Sequence, residues 1–335
     1  MTSLANEYAA LVERCGLVDR SERGKLALTG AGSVEFLNGQ VTNELIGLSP
    51  GEGCYAAFLT HKGKMLGDLR ILVVGDSVEQ PGELLLDTER SALQALFDMI
   101  RRFKVGYEVE LHKRTLECSL LSLIGPDANS VAAKAFAIDD SRLSAEENDH
   151  VLLDLDRTPV RLIRTDMGID LLFDAGALEL VRGTLEAAGA IAASEAAAEI
   201  VRVEHGRPRY GIDLDESTIP QEAGLNERAV SFTKGCYVGQ ETVARLFYKG
   251  KPNRHLRGLR LAEPVEPGAE LLADRRSPRS TIGGERSVGH LGSSVLSPAL
   301  GPIGLALVRR EAEPGTMVTV GEQSVEAIVC ELPFK

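Results

Sequence analysis

Lys234-Gly235-Cys236-Tyr237-Val238-Gly239-Gln240-Glu241 stands directly before a short helix-like run, 242–248, and is the most informative stretch of the chain. A thiol just ahead of a helix N-terminus sees the positive end of the helix dipole. With Lys234 two residues away, its pKa is expected to fall, which makes Cys236 the candidate reactive thiolate. Gly235 and Gly239 let backbone approach a ligand closely or take unusual dihedrals. The competing reading is a buried cysteine acting as a small apolar side chain. Charge concentrates here as well. Residues 234–260 hold seven basic side chains (Lys234, Arg245, Lys249, Lys251, Arg254, Arg257, Arg260) against Glu241, within a chain of net charge −12. A basic pocket for a polycarboxylate fits that asymmetry; a solvated charged loop is the plainer alternative. Tyr237, Phe247 and Tyr248 add flat surfaces that suit either ring stacking or core packing. Upstream, Glu204, Asp213, Asp215 and Glu222 supply carboxylates. One carboxylate can accept both donors of a heterocycle that carries a ring N–H beside an exocyclic amine.

Working outward, 335 residues at 44% hydrophobic and 26% charged are enough for two or three domains with sizeable cores. The acidic balance disfavours nucleic acid and anionic membrane surfaces as partners. No apolar run approaches the ~18 residues of a membrane span. Glu7 and Glu13 in the first helix-like stretch fit neither a signal peptide nor a transit peptide. Five cysteines at 15, 54, 118, 236 and 330 form no CxxC pair and have no histidine at ligand spacing. That argues against a disulfide framework and against a tightly bound metal, and a cytoplasmic protein is the expectation.

Leu4, Tyr8, Leu11, Val12 and Cys15 recur at helical spacing, with Gly16 where a C-cap glycine belongs. Lys25 to Thr29 alternates as a strand, and Gly30-Ala31-Gly32 turns into a short helix. A dinucleotide-binding reading of that turn fails, because Glu35 occupies the third glycine position and no βαβ unit follows. Strands are expected at 54–58, 64–74 and 83–87, with Gly75-Asp76 and Pro81-Gly82 as turn signals. An amphipathic helix carries Leu93, Leu96, Phe97 and Ile100, with Arg101 and Arg102 near its end. Strands at 107–112 and 118–124, a helix near 127–137, and strands at 151–155, 159–165 and 169–173 come next. Ala-rich helices follow at 175–188 and 194–205, the second stopped by Gly206. From about 255, short alternating segments (256–261, 287–291, 303–309, 316–320, 324–330) separated by Pro and Gly read as a small all-β barrel or sandwich. The fold class is therefore α+β: two mixed α/β domains plus a C-terminal β-barrel. The expected division is 1–50 with 115–210, then 51–114 with about 211–250, and a barrel at 255–335.

The octet 234–241, continued through Val243-Ala244-Arg245, resembles the signature of the YgfZ folate-binding family, relatives of the glycine-cleavage T-protein (aminomethyltransferase). Phe36-Leu37-Asn38-Gly39-Gln40-Val41-Thr42 is similar to that family's Phe-Leu-Gln-Gly-Gln-Val-Thr segment. Lys62-Gly63-Lys64-Met65 resembles its Ala-Lys-Gly-Lys-Met turn, and Ile219-Pro220-Gln221 and Glu204-x-Gly206 fall in register. The resemblance implies a three-domain ring around a central cavity for tetrahydrofolate or a one-carbon derivative. It also implies a role in iron–sulfur cluster assembly or repair, with iron–sulfur assembly proteins or apoproteins as partners. Cys236 would be the working thiol. The pterin would be held by an acid among Asp68, Glu204 and Glu222, and the glutamate tail by the basic group that includes Lys234 and Arg245. Gln40, Lys64, Tyr237, Gln240 and Glu241 complete the implied folate site. T-proteins usually carry an acid where Cys236 stands, and a Gly-Tyr-Thr-Gly-Glu motif where this chain reads Ile163-Arg164-Thr165-Asp166. Those departures weigh against aminomethyl transfer. Gly67-Asp68-Leu69 aligns with the segment that supplies the T-protein's catalytic acid, so a folate-dependent one-carbon transferase using Asp68 is the first alternative. A non-catalytic folate-sensing module is the second.

Overall fold

The structure is a computed structural model that describes residues 3–74, 83–274 and 285–334. The turn signals Gly75-Asp76 and Pro81-Gly82 lie outside the described residues. The chain divides into two compact units: Met1–Ala198 with Glu227–Gln240, and Glu199–Asn226 with Glu241–Lys335.

In the first unit, helix α1 (Leu4–Glu13) is capped by the Ser3 hydroxyl, which accepts from the Asn6 amide. Gly16 is not its C-cap, as expected from spacing, but the first residue of strand β1 (Gly16–Asp19). A Cβ there would lie 2.4 Å from Leu11 Cδ2, so any larger residue would have to displace the Leu11 side chain that α1 packs beside β1. The chain continues through β2 (Gly24–Thr29), α2 (Ser33–Asn38), β3 (Gly53–Leu59), β4 (Met65–Val73), β5 (Leu84–Thr88), α3 (Leu93–Phe103), β6 (Glu110–Lys113) and β7 (Cys118–Ile124). Then come α4 (Ala128–Phe136), β8 (His150–Leu155), β9 (Thr158–Thr165), β10 (Gly168–Asp174), α5 (Leu178–Ala188), β11 (Ile191–Ala192) and α6 (Glu195–Glu204).

These strands form two sheets. One is six-stranded in the order β11-β1-β7-β10-β9-β8, and the other is five-stranded in the order β3-β4-β5-β2-β6. Every pairing is antiparallel except β1 with β11, which excludes a doubly wound parallel sheet. Strand β2 lies within the segment expected to belong with 115–210, yet it pairs with β5 and β6 of the five-stranded sheet. The six-stranded sheet buries Leu121, Leu123, Leu162 and Leu171 against Val131 and Phe136 of α4 and Val181 and Leu185 of α5. Its other face meets the five-stranded sheet, where Leu72, Leu86, Leu120 and Leu172 line a residual cavity with Arg70 and Asp87. Ionic groups tie the two sheets. Arg70 on β4 donates to Asp170 on β10 at 2.7 Å and to Asp87 on β5 at 2.9 Å, and Asp170 also accepts from Ser122 on β7 at 2.6 Å.

Helix α7 (Asn226–Ala229) stands where the chain returns to the first unit, and α8 (Gln240–Lys249) where it passes on towards the barrel. In the second unit, strands β12 (Arg254–Leu261), β13 (Glu270–Asp274), β14 (Glu285–Ser297), β15 (Gly301–Arg309), β16 (Met317–Val320) and β17 (Val325–Cys330) close in the order β12-β15-β14-β13-β16-β17. Alternate side chains fill the interior, including Leu259, Leu271, Leu291, Val308, Val320 and Val329. Arg202 of α6 donates to Asp213 at 2.9 Å, and Asp213 in turn accepts from the Ser293 amide of β14 at 2.7 Å. That chain of bonds fastens the 199–226 segment to the barrel wall.

Candidate functional site

Two segments distant in sequence receive the 231–239 loop. Gly239 has φ +84°, and a Cβ there would lie 2.6 Å from the Thr60 carbonyl and 3.1 Å from Gly63 Cα. Glycine is therefore needed both for the dihedral and for the close approach to the 60–65 turn. On the other side, Val238 N donates to Gly39 O at 3.2 Å and Ser231 N to Thr42 O at 2.9 Å. The Lys234 ammonium donates to Asn38 O (2.7 Å), Asn38 Oδ1 (3.1 Å), Val41 O (3.0 Å) and Asn43 O. Segments 36–42, 62–65 and 234–241, each singled out in the sequence, thus converge on one another.

The side chains of that loop correct part of the sequence reading. Cys236 is exposed, which removes the reading of a packed apolar thiol. Lys234 is buried and turned into the 38–43 segment, so it is not the neighbouring charge that was expected to activate Cys236. Burial brings its pKa down to about 8. The thiol whose ionisation Lys234 favours is Cys54, although burial outweighs that attraction and pushes Cys54 up to about 12. Tyr237 is also buried, its ring centroid 5.4 Å from the Lys234 ammonium, and burial raises its hydroxyl to about 12. The other two aromatics of this stretch, Phe247 and Tyr248, are exposed and meet edge to face, ring centroids 5.0 Å apart, near the end of α8.

Asp68 lies on β4 opposite Ala57, while Tyr55 on β3 lies opposite Arg70, so Tyr55, Asp68 and Arg70 share one face of the sheet. Asp68 is 5% exposed and accepts a hydrogen bond from the Tyr55 hydroxyl. Burial raises its carboxyl to about 6, with Tyr55 and Arg23 only partly opposing the shift. The same burial holds the Tyr55 hydroxyl well above its ordinary value. Arg228 covers the Tyr55 ring at 5.1 Å and is held by Glu147, with Asp166 at 3.9 Å. A carboxyl that exchanges its proton near neutrality beside a phenol is equipped for general acid–base work.

A family model described as the GCVT N-terminal domain matches residues 1–234, and one described as the glycine cleavage T-protein C-terminal barrel domain matches 254–335. The chain belongs to the glycine-cleavage T-protein family. An aminomethyltransferase of Rubrobacter xylanophilus is 30% identical over 340 residues, which span 98% of this chain and 85% of that protein. A chloroplastic protein of Arabidopsis thaliana named as a transferase is 28% identical over 326 residues, 95% of this chain and 71% of its own length. The crystal structure of glycine cleavage system aminomethyltransferase T from Bartonella henselae has the same fold. Its TM-score is 0.84 at 23% identity, covering 99% of this chain and 90% of that one.

Set on this T-protein fold, the remaining sequence candidates separate by environment. Gln40 Oε1 is buried with no hydrogen-bond partner among the described residues. Lys64 is half-buried, and Gln240 opens α8 with its amide on Tyr237 O at 3.2 Å. Glu241 and Arg245 are exposed on α8. Two of the three acids considered for a pterin are committed within the second unit. Glu204 accepts from Ser297 at 2.5 Å, and Glu222 takes Arg254 on both oxygens (3.2 and 2.8 Å) and the Ile219 amide at 3.1 Å. Tyr55, Arg228 and Glu147 were not singled out in the sequence. The available signal was Asp68-Leu69-Arg70, two charges at strand spacing within an otherwise apolar run. Among the described residues no helix is long and apolar enough to cross a membrane, and no three His, Cys, Asp or Glu side chains gather as metal ligands.

Proposed function

We propose that this protein is a YgfZ-type member of its family that binds tetrahydrofolate or a one-carbon derivative and serves iron–sulfur cluster assembly or repair through Cys236. The observation that carries this reading is the exposed thiol of Cys236 on a loop braced by the 36–42 and 60–65 segments. Tetrahydrofolate fits the residues on two counts. The buried Gln40 Oε1 lacks a donor that a ligand N–H would supply, and Asp68 offers a carboxyl able to grip a heterocycle. Bound folate would supply a carrier for a one-carbon unit, while Asp68 and Tyr55 hold or release a proton at the Asp68 carboxyl. The test is a cell that depends on this protein for iron–sulfur enzyme activity under oxidative stress. Cys236→Ser should fold, keep folate affinity and fail to restore that activity; full restoration would leave the folate-sensing module as the better account.

A second reading, a folate-dependent aminomethyl- or methyltransferase, is favoured by Asp68 with its pKa near 6 against Tyr55. Turnover of a methylamine donor that disappears in Asp68→Asn would establish it.

A further inference from the structure

We propose that Lys234 is a positioning residue: its buried ammonium locks the Cys236 loop onto the 38–43 segment and does not serve as a ligand for an anionic substrate tail. The inference rests on the reading of the Cys236 loop as functional. Four acceptors converge on Nζ: Asn38 O at 2.7 Å, Asn38 Oδ1 at 3.1 Å, Val41 O at 3.0 Å and Asn43 O. An ammonium has three protons, and this set consumes them all. At 7% exposure no face is left for a carboxylate, and the Tyr237 ring lies 5.4 Å away as well.

The acceptors explain why a cation is needed there. Asn38 is the last residue of α2, so its carbonyl is among those a helix end leaves without an internal donor. The Asn38 side chain is itself fixed, because its Oδ1 accepts from the Leu45 amide at 2.9 Å. Val41 and Asn43 turn their carbonyls to the same point, and without the ammonium the buried Asn38 and Val41 carbonyls would lose this donor. The lock also brackets the thiol. Ser231 N to Thr42 O precedes Cys236 and Val238 N to Gly39 O follows it, with Lys234 between. The place of Cys236 relative to Gly39 and Gln40 is thereby set. The long cations of the 234–251 stretch that remain exposed for an anion are Arg245, Lys249 and Lys251.

Arginine separates the two roles. Lys234→Arg keeps the charge that would hold a carboxylate tail, but its planar fork cannot satisfy oxygens converging on one point. Lys234→Met keeps length and loses both charge and donors. Three measurements on the full chain decide between them. The first is hydrogen exchange at amides 36–43 and 231–239, expected to rise about tenfold or more in both variants. The second is the iodoacetamide rate at Cys236, expected to change in both while Cys330 on the barrel keeps its rate, which distinguishes a local lock from general destabilisation. The third is the ratio of affinities for tetrahydrofolate triglutamate and monoglutamate, expected to be the same in wild type and Lys234→Met. Wild-type exchange in either variant, an unchanged Cys236 rate, or a tail-length preference lost in Lys234→Met would overturn the proposal. Should the wild-type protein bind no folate, the folate reading fails, and exchange and alkylation still decide the role of Lys234.

Discussion

Asp68 is ionised at a cost to the fold, because its carboxyl is buried and its pKa is raised to about 6. For an acid raised in the native state, the favourable contribution is present below the unfolded pKa near 4 and is lost as pH rises through 6. Asp68→Asn keeps an acceptor for Tyr55 and removes the charge, so at pH 7 it should be more stable than wild type, by about 1–3 kcal/mol. Urea melts at pH 4 and pH 7 check this, since the gain should vanish at the lower pH. A destabilised variant at pH 7 would mean that the carboxylate is better solvated than the geometry indicates. The cysteines give a second test. Burial pushes Cys15 and Cys54 up to about 12 and raises Cys118, whereas Cys236 is exposed. Time-resolved alkylation should label Cys236 before Cys15, Cys54 and Cys118; labelling of a buried thiol first would remove the accessible-thiol argument. The 234–241, 36–42 and 62–65 segments could be singled out in the sequence, but the direction of the Lys234 side chain could not. Two residues of separation along a loop do not reveal that one side chain turns outward and the other inward onto carbonyls some 190 positions away.

Strands show how far local pattern reaches. Barrel strands with clear alternation and flanking Pro or Gly could be read directly, whereas β13 was missed. Its Leu271-Leu272-Ala273 run does not alternate, and its pairing with β14 is interrupted at Leu271/Leu272. The partners of β2 could not be read at all, because pairing with β5 and β6 is decided by contacts more than fifty residues away. The same holds for the tie between sheets, where Arg70 and Asp170 are 100 residues apart. Asp170→Ala leaves Arg70 with Asp87 alone and strands the Ser122 hydroxyl in a buried setting. The expected loss is about 3–5 kcal/mol in urea unfolding. A change within ~0.5 kcal/mol would show that the pair contributes no more than a surface bridge.

Across the whole molecule, the mixed α/β architecture and the C-terminal barrel were legible because texture changes at about 255, from helical periodicity to short alternating strands. The surroundings of Asp68 were not, since Tyr55, Arg228 and Glu147 come from three separate stretches that the fold assembles. Net charge was equally coarse: although the chain carries −12, exposed Arg245, Lys249 and Lys251 stand close together along it. All of the functional reading depends on tetrahydrofolate being a ligand. Calorimetric titration of the intact protein with tetrahydrofolate tests that most directly, with Asp68→Ala as the comparison. The account predicts saturable binding that weakens when the Asp68 carboxyl is removed, and a flat titration up to millimolar ligand would contradict it.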